Sequence, residues 1–220
     1  MIKLFALITM LIDHIGLIFF PDIRWIRYIG RLAMPVFGYC IARGFYYSKE
    51  HGTLKNYIKN LLILTISSEI PYYLMEKKLA IDIGLTWLIS VIVLCILEDD
   101  MPKLKKSALV GLILLFTAGL YMFISFDYGI YGSLTAVCMY YLMIKKNDPY
   151  NMFLALVILW AIYVLIMRQA FEQFFAVFSI IPIALLKPID ERIKLPKRLY
   201  YWFYPVHMIV LLILERIIVK

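Results

Sequence analysis

Residues 11–37 read LIDHIGLIFFPDIRWIRYIGRLAMPVF, and they decide how the chain is read. Asp13 and His14 sit together inside an apolar run that starts at the N-terminus. After a turn through Pro21 and Asp22, a second apolar run carries Arg31 in the phrase GRLAMP. If both runs cross a membrane, three ionisable side chains lie within or near hydrocarbon. Charge placed there costs several kcal/mol unless it is paired, so it marks function. Asp13 and Arg31 are expected to partner one another, because an isolated buried charge is far costlier than a pair. A bare device for holding two helices in register does not need His14 beside it.

The rest of the composition agrees. Hydrophobic residues make up 64% of the 220, against only 17% charged, and mean hydropathy is +0.84. Soluble domains are about 45–50% apolar, and repeated apolar stretches of ~20 residues mean membrane spans. The fold class is all-α, a polytopic transmembrane helical bundle forming a single domain over residues 1–220. Open sheet edges cannot hide in lipid, and the period-two alternation of a barrel is absent. Cys40, Cys95 and Cys138 fall in apolar runs without metal-ligand spacing and read as small buried hydrophobes. The first run lacks a small-residue cleavage site and is expected to be a retained span.

Nine spans are expected, at about 2–20, 26–47, 54–75, 84–97, 107–125, 128–144, 150–167, 172–187 and 199–219. Basic residues fix their orientation. On the N-terminal side stand Lys3; Lys49, Lys55, Lys59; Lys103, Lys105, Lys106; Lys145, Lys146; and Lys187, Arg192, Lys194, Lys197, Arg198, fourteen in all. The other side has seven: Arg24, Arg27, Lys77, Lys78, Arg168, Arg216 and Lys220. The positive-inside rule puts the N-terminus in the cytoplasm. The net charge of +8 is therefore loop charge rather than a nucleic-acid footprint, and anionic partners would be lipid headgroups or a phosphorylated cofactor.

Depth follows from a rise of 1.5 Å per residue. His14, Glu69 and His207 lie roughly 18, 20 and 12 Å from the cytoplasmic ends of their spans. Neighbours on a helix point about 100° apart, so Asp13 turned toward Arg31 leaves His14 turned toward a cavity. Plainer readings stand beside these. His207 could belong to an interfacial belt with Tyr200, Tyr201, Trp202 and Tyr204. Glu69 precedes Pro71 and could bond backbone groups freed by a kink. Arg43 and Lys49 snorkel to the cytoplasmic face, and Asp127 could be a turn residue. No P-loop, HExxH or GxSxG motif is present.

IDHIG (12–16), IGRLAMPVFGYCIARGF (29–45), SEIPY (68–72), DYGIYG (127–132) and YYWFYPVHMIVLLIL (200–214) together resemble the TraX family of integral membrane proteins. The resemblance spans nearly the whole chain, in order. It implies acetyl transfer from acetyl-CoA in a bacterial inner membrane, of the kind that acetylates the pilin N-terminus, within a wider transmembrane acyltransferase superfamily. It also implies His14 as the catalytic residue, with Asp13, Arg31 and His207 as essential neighbours. Glu69 joins the catalytic candidates, and Arg31, Arg43, Tyr204 and Lys49 are the candidates for holding the cofactor. GLTWLIS (84–90) and the stretch before Leu195–Arg198 depart from the family pattern, which leaves a peptide, glycan or lipid acceptor open. The chemistry fits the residues independently. A thioester acyl transfer needs a base, which a neutral His14 supplies. It also needs an oxyanion donor, from His207, Arg31 or a tyrosine hydroxyl, and no metal. The competing reading is a small proton-coupled transporter, with Asp13, Glu69 and the histidines as a relay.

Overall fold

The computed structural model describes residues 1–77, 80–167, 171–190 and 197–218. Lys78, Arg168, Arg192, Lys194 and Lys220, used above for orientation, lie outside the described residues, as does the stretch before Lys197.

Helix α1 (Ile2–Phe19) buries a stripe of Ile2, Ala6, Leu7 and Met10 and leaves Ile8 on the outside. Pro21 and Asp22 then turn the chain, with the Ile23 amide donating to the Phe20 carbonyl at 3.0 Å. The expected span 26–47 is not one helix. It is α2 (Arg24–Gly30) and α3 (Ala33–Glu50), separated at Arg31 and Leu32. Pro35 supplies the reason: it has no N–H to donate to the Arg31 carbonyl four residues back, so the helical ladder is interrupted there. Arg31 therefore sits at a helix junction.

The chain continues as α4 (Leu54–Glu76), β1 (Ala80–Ile81), α5 (Ile83–Leu97), α6 (Lys103–Tyr121), β2 (Ser125–Phe126) and α7 (Gly129–Cys138). Helix α7 runs on as a π-helix, Met139–Lys145. Then come α8 (Pro149–Met167), a 3-10 helix Phe171–Ser179 leading into α9 (Ile180–Asp190), and α10 (Lys197–Ile218). β1 and β2 pair in parallel, Ala80 opposite Ser125 and Ile81 opposite Phe126. Asp82 caps α5, its Oδ1 accepting from the Gly84 amide at 2.8 Å.

Among the described residues, four segments are long and apolar enough to cross a membrane: Ile2–Phe19, Lys103–Tyr121, Phe171–Asp190 and Tyr200–Ile218. Ile83–Leu97 and Pro149–Leu165 are apolar but shorter. Of α6, only Thr117 is buried, and Leu112, Leu115 and Phe116 lie exposed along it. Such a face suits hydrocarbon and would be a liability in water.

Long-range ion pairs show which helix ends share a side. Glu98, after α5, meets Lys49 at the end of α3 and Lys145 at the end of the π-helix. Asp190, at the end of α9, meets the Met1 amine and Arg43. On the opposite side, Lys77 after α4 meets Glu215 near the end of α10 at 2.9 Å. Successive long segments therefore alternate in direction.

Two apolar clusters fill the interior. The larger surrounds α3 and includes Met34, Tyr39, Phe45, Trp87, Tyr131 and Tyr140. The smaller joins α1, α4 and α10 through Leu7, Met10, Tyr72, Met75, Tyr204 and Met208. A cavity opens at the seam between them.

Candidate functional site

The cavity has a volume of about 140 Å³ and takes walls from both clusters. That is close to the ~150 Å³ of an apolar cavity that holds a benzene ring. Its lining changes character along the bundle. Leu7, Met10, Ile41, Leu64 and Tyr200 line the half nearer the N-terminal side, whereas Asp13, Arg27, Arg31, Glu76 and Asp127 line the other together with the apolar Leu17, Met75 and Ile83.

His14 and His207 meet here from α1 and α10. His14 Nδ1 and His207 Nε2 are 2.7 Å apart, with the ring planes within 5° of each other. His207 Nδ1 lies 2.8 Å from the Phe203 carbonyl, which can only accept. His207 Nδ1 therefore carries the hydrogen and, in the neutral ring, Nε2 is the acceptor. His14 must then donate from Nδ1, which leaves the lone pair on His14 Nε2. The pair thus fixes one tautomer of His14 and keeps one basic nitrogen.

Asp13 turns away from His14 to the arginines. Arg27 Nε donates to its Oδ1 at 2.8 Å, and Arg31 Nη2 approaches the same oxygen at 3.5 Å. The expected Asp13–Arg31 pair is present, but Arg27 is the closer partner. Arg27 and Arg31 are four residues apart, and that spacing lets two guanidiniums reach one carboxylate from one helix face. Gly30 makes the approach possible, since a Cβ there would fall 2.3 Å from Asp13 Cβ. Arg31 Nη1 donates to the Tyr128 hydroxyl at 2.8 Å, and Arg31 Nε is buried without a hydrogen-bond partner among the described residues. Tyr128 is held with φ +59 and is followed by Gly129 at φ +40. A left-handed backbone costs a non-glycine residue about 1–2 kcal/mol, so the surrounding structure imposes this placement.

Not every expected residue comes to this place. Tyr204 lines the cavity, buried, with its ring 5.7 Å from that of His207. Glu69 does not; its Oε1 faces the Asp82 amide at 3.4 Å, while the neighbouring Ser68 hydroxyl donates to Asp82 Oδ2. Arg43 is bonded to Asp190, which also accepts from the Ile2 amide at 2.6 Å. Lys49 is bonded to Glu98, 3.3 Å from Oε2. Burial pushes the Glu98 carboxyl up, but hydrogen bonds from Lys145 and the Tyr141 hydroxyl outweigh it and hold the pKa down at about 2. The sequence reading missed Arg27, Glu76 and Tyr128 as lining residues and left Asp127 as a turn residue.

The geometry combines a histidine pair of fixed tautomer, a charge cluster and a small cavity. A stretch of 76 residues, 33% of this chain and 30% of the relative, is 32% identical to a probable fimbrial assembly protein FimC, serogroup H1, of Dichelobacter nodosus. A 46-residue stretch, 21% of this chain and 18% of the relative, is 48% identical to an uncharacterized protein of Rickettsia prowazekii (strain Madrid E). The matched stretches thus span less than a third of either relative's length. No solved structure matches the chain. The family described as TraX protein matches residues 1–215, nearly the whole length, and the chain belongs to that family.

Proposed function

We propose that this chain is a membrane-embedded acetyltransferase, moving an acetyl group from cytoplasmic acetyl-CoA to an amine or hydroxyl acceptor. The observation that carries the reading is the His14–His207 pair, which fixes the tautomer of a histidine that lines the cavity. Transfer from a thioester needs a base that takes the proton of the attacking group, and His14 Nε2 is suited to that task. His207 acts as its positioning residue, holding the tautomer and the ring plane. The attacking nitrogen or oxygen bonds to the thioester carbon, His14 takes its proton, and the C–S bond then breaks. The departing thiolate receives the proton from His14 and leaves as the free thiol.

The lining supports the direction of approach. The apolar half of the cavity suits the pantetheine arm and thioester, and the charged half suits the acceptor. We place nine crossings in a bacterial inner membrane, with α2 and α3 counted as one. The paired helix ends alternate as nine crossings require, and the side richer in lysine and arginine is cytoplasmic. Coenzyme A phosphates would be met by that basic face. Among acceptors, the fimbrial assembly relative favours a pilin-like peptide amine.

The test is acetyl transfer by purified protein from radiolabelled acetyl-CoA to a peptide with a free N-terminus. His14→Gln, which bonds but cannot serve as the same base, should abolish turnover while leaving coenzyme A bound. A wild-type protein that binds acetyl-CoA but transfers to no peptide, glycan or lipid acceptor would overturn the reading.

A further inference from the structure

The acetyl-transfer reading leaves one task unassigned. As the acceptor attacks, the thioester C=O pair moves onto oxygen, and that oxygen needs a donor already in place. We propose that the Tyr128 hydroxyl is that donor, which makes Tyr128 a catalytic residue.

Several candidates are already occupied. His207 has one nitrogen on the Phe203 carbonyl and the other on His14. Arg31 directs Nη1 to Tyr128 and Nη2 to Asp13, and its Nε is buried with no partner among the described residues, so Arg31 acts here through Tyr128. Tyr72 and Tyr204 line the cavity, but among the described residues no arginine or lysine donates to either hydroxyl. Tyr128 differs from them in what stands behind it. Its oxygen accepts from the Arg31 guanidinium at 2.8 Å, and its own hydrogen has no acceptor among the described residues. A phenol that accepts from a cation donates more strongly, because each bond in a chain polarises the next.

The chain of support runs from Arg27 and Asp13 through Arg31 to Tyr128. Asp13 anchors Arg31, the junction between α2 and α3 presents it, and Arg31 polarises the phenol. The backbone independently marks the residue. Two successive left-handed residues, Tyr128 at φ +59 and Gly129 at φ +40, turn the chain from β2 into α7 and bring the phenol to the cavity wall. Glycine takes such an angle freely, but tyrosine does not. In the transfer step the acceptor lone pair forms the new bond to the carbonyl carbon, and the carbonyl pair moves to oxygen. Tyr128 O–H stabilises that oxygen by hydrogen bonding and keeps its proton. His14 Nε2 takes the acceptor proton, the carbonyl reforms as the C–S pair leaves on sulfur, and His14 returns the proton to the thiolate.

The experiment compares wild type with Tyr128→Phe in two assays. In steady-state transfer, Tyr128→Phe should lower kcat by about 10²–10³ with little change in the KM for acetyl-CoA, as expected on loss of one oxyanion donor. In infrared difference spectra, the probe is the ketone analogue of acetyl-CoA with CH₂ in place of the thioester sulfur and ¹³C at the carbonyl. Its C=O stretch should lie at lower frequency bound to wild type than bound to Tyr128→Phe. This second measurement needs binding only, so it stands apart from turnover. Near-wild-type kcat in Tyr128→Phe, or the same carbonyl stretch in both proteins, overturns the assignment. A wild type that transfers no acetyl group sinks the underlying reading as well, whereas active wild type with an equally active Tyr128→Phe sinks only this one.

Discussion

Gly30→Ala sets two effects of opposite sign against each other. By helix propensity alone, alanine at the end of α2 should stabilise the protein by about 0.5–1 kcal/mol. The packing says otherwise. The new methyl would stand 2.3 Å from Asp13 Cβ, 2.4 Å from its Oδ1 and 2.6 Å from its Cγ, whereas ordinary contact begins at 3.4 Å. α2 would have to retreat from α1 by about 1.1 Å, the difference between 3.4 and 2.3 Å. That movement stretches the Arg27–Asp13 bond from 2.8 Å beyond hydrogen-bond range. Overpacking costs about 1–3 kcal/mol and a lost hydrogen bond to a charged group about 1.5–3, so the net loss should be about 2–5 kcal/mol. All three nearest atoms belong to Asp13, so Asp13→Gly should absorb the clash. The assay is the thermal unfolding midpoint in detergent of wild type, both single variants and the double variant. Gly30→Ala should lower the midpoint clearly, and its further effect in the Asp13→Gly background should be small, a coupling expected only between touching residues. A Gly30→Ala protein as stable as wild type, or additive losses in the double variant, would refute the contact on which the charge cluster is built.

His14→Ala should lower transfer by about 10²–10⁴ with coenzyme A binding retained, measured by single-turnover kinetics and isothermal titration. His207→Gln, whose Oε1 can still accept from His14 Nδ1, should retain more turnover than His207→Ala; equal loss in both would argue against the tautomer assignment. Glu69→Gln should leave turnover near wild type, because Glu69 faces the Asp82 amide rather than the cavity. Glu98 has a pKa of about 2 in the folded protein, below the ~4.3 of a free glutamate, so its contribution is full above pH ~4.3 and is lost as pH falls toward 2. Melting curves at decreasing pH should show that loss in wild type and a shallower one in Glu98→Gln.

Helix content was legible because apolar runs are strong, local signals. The interruption at Arg31 was harder to see, although Pro35 was in plain view. A proline in the first turn of a helix is unremarkable, and only the loss of a donor for the Arg31 carbonyl turns it into a break. The count of crossings depends on the same point, since α2 is too short to span and α5, at 15 residues, falls short of a ~30 Å hydrocarbon core unless the bilayer thins around it.

The site was legible in part for a related reason. Depth along a helix is read directly from sequence, and depth brought His14, His207 and Glu69 to similar levels. Azimuth is not. Leu64, Tyr72, Met75 and Glu76 of α4 face the cavity, whereas Glu69, at comparable depth, faces α5. A carboxylate and a histidine at equal depth on different helices can thus stand on opposite sides of a helix wall. Arg27 shows the converse error. Counted as loop charge, it stands in the last turn of α2, four residues before Arg31, and that spacing is the one signal that could have placed both guanidiniums on Asp13. Tyr128 had no such signal. Its place is set by a left-handed turn after a two-residue strand, and neither a periodicity nor a charge count reports where a turn aims a phenol.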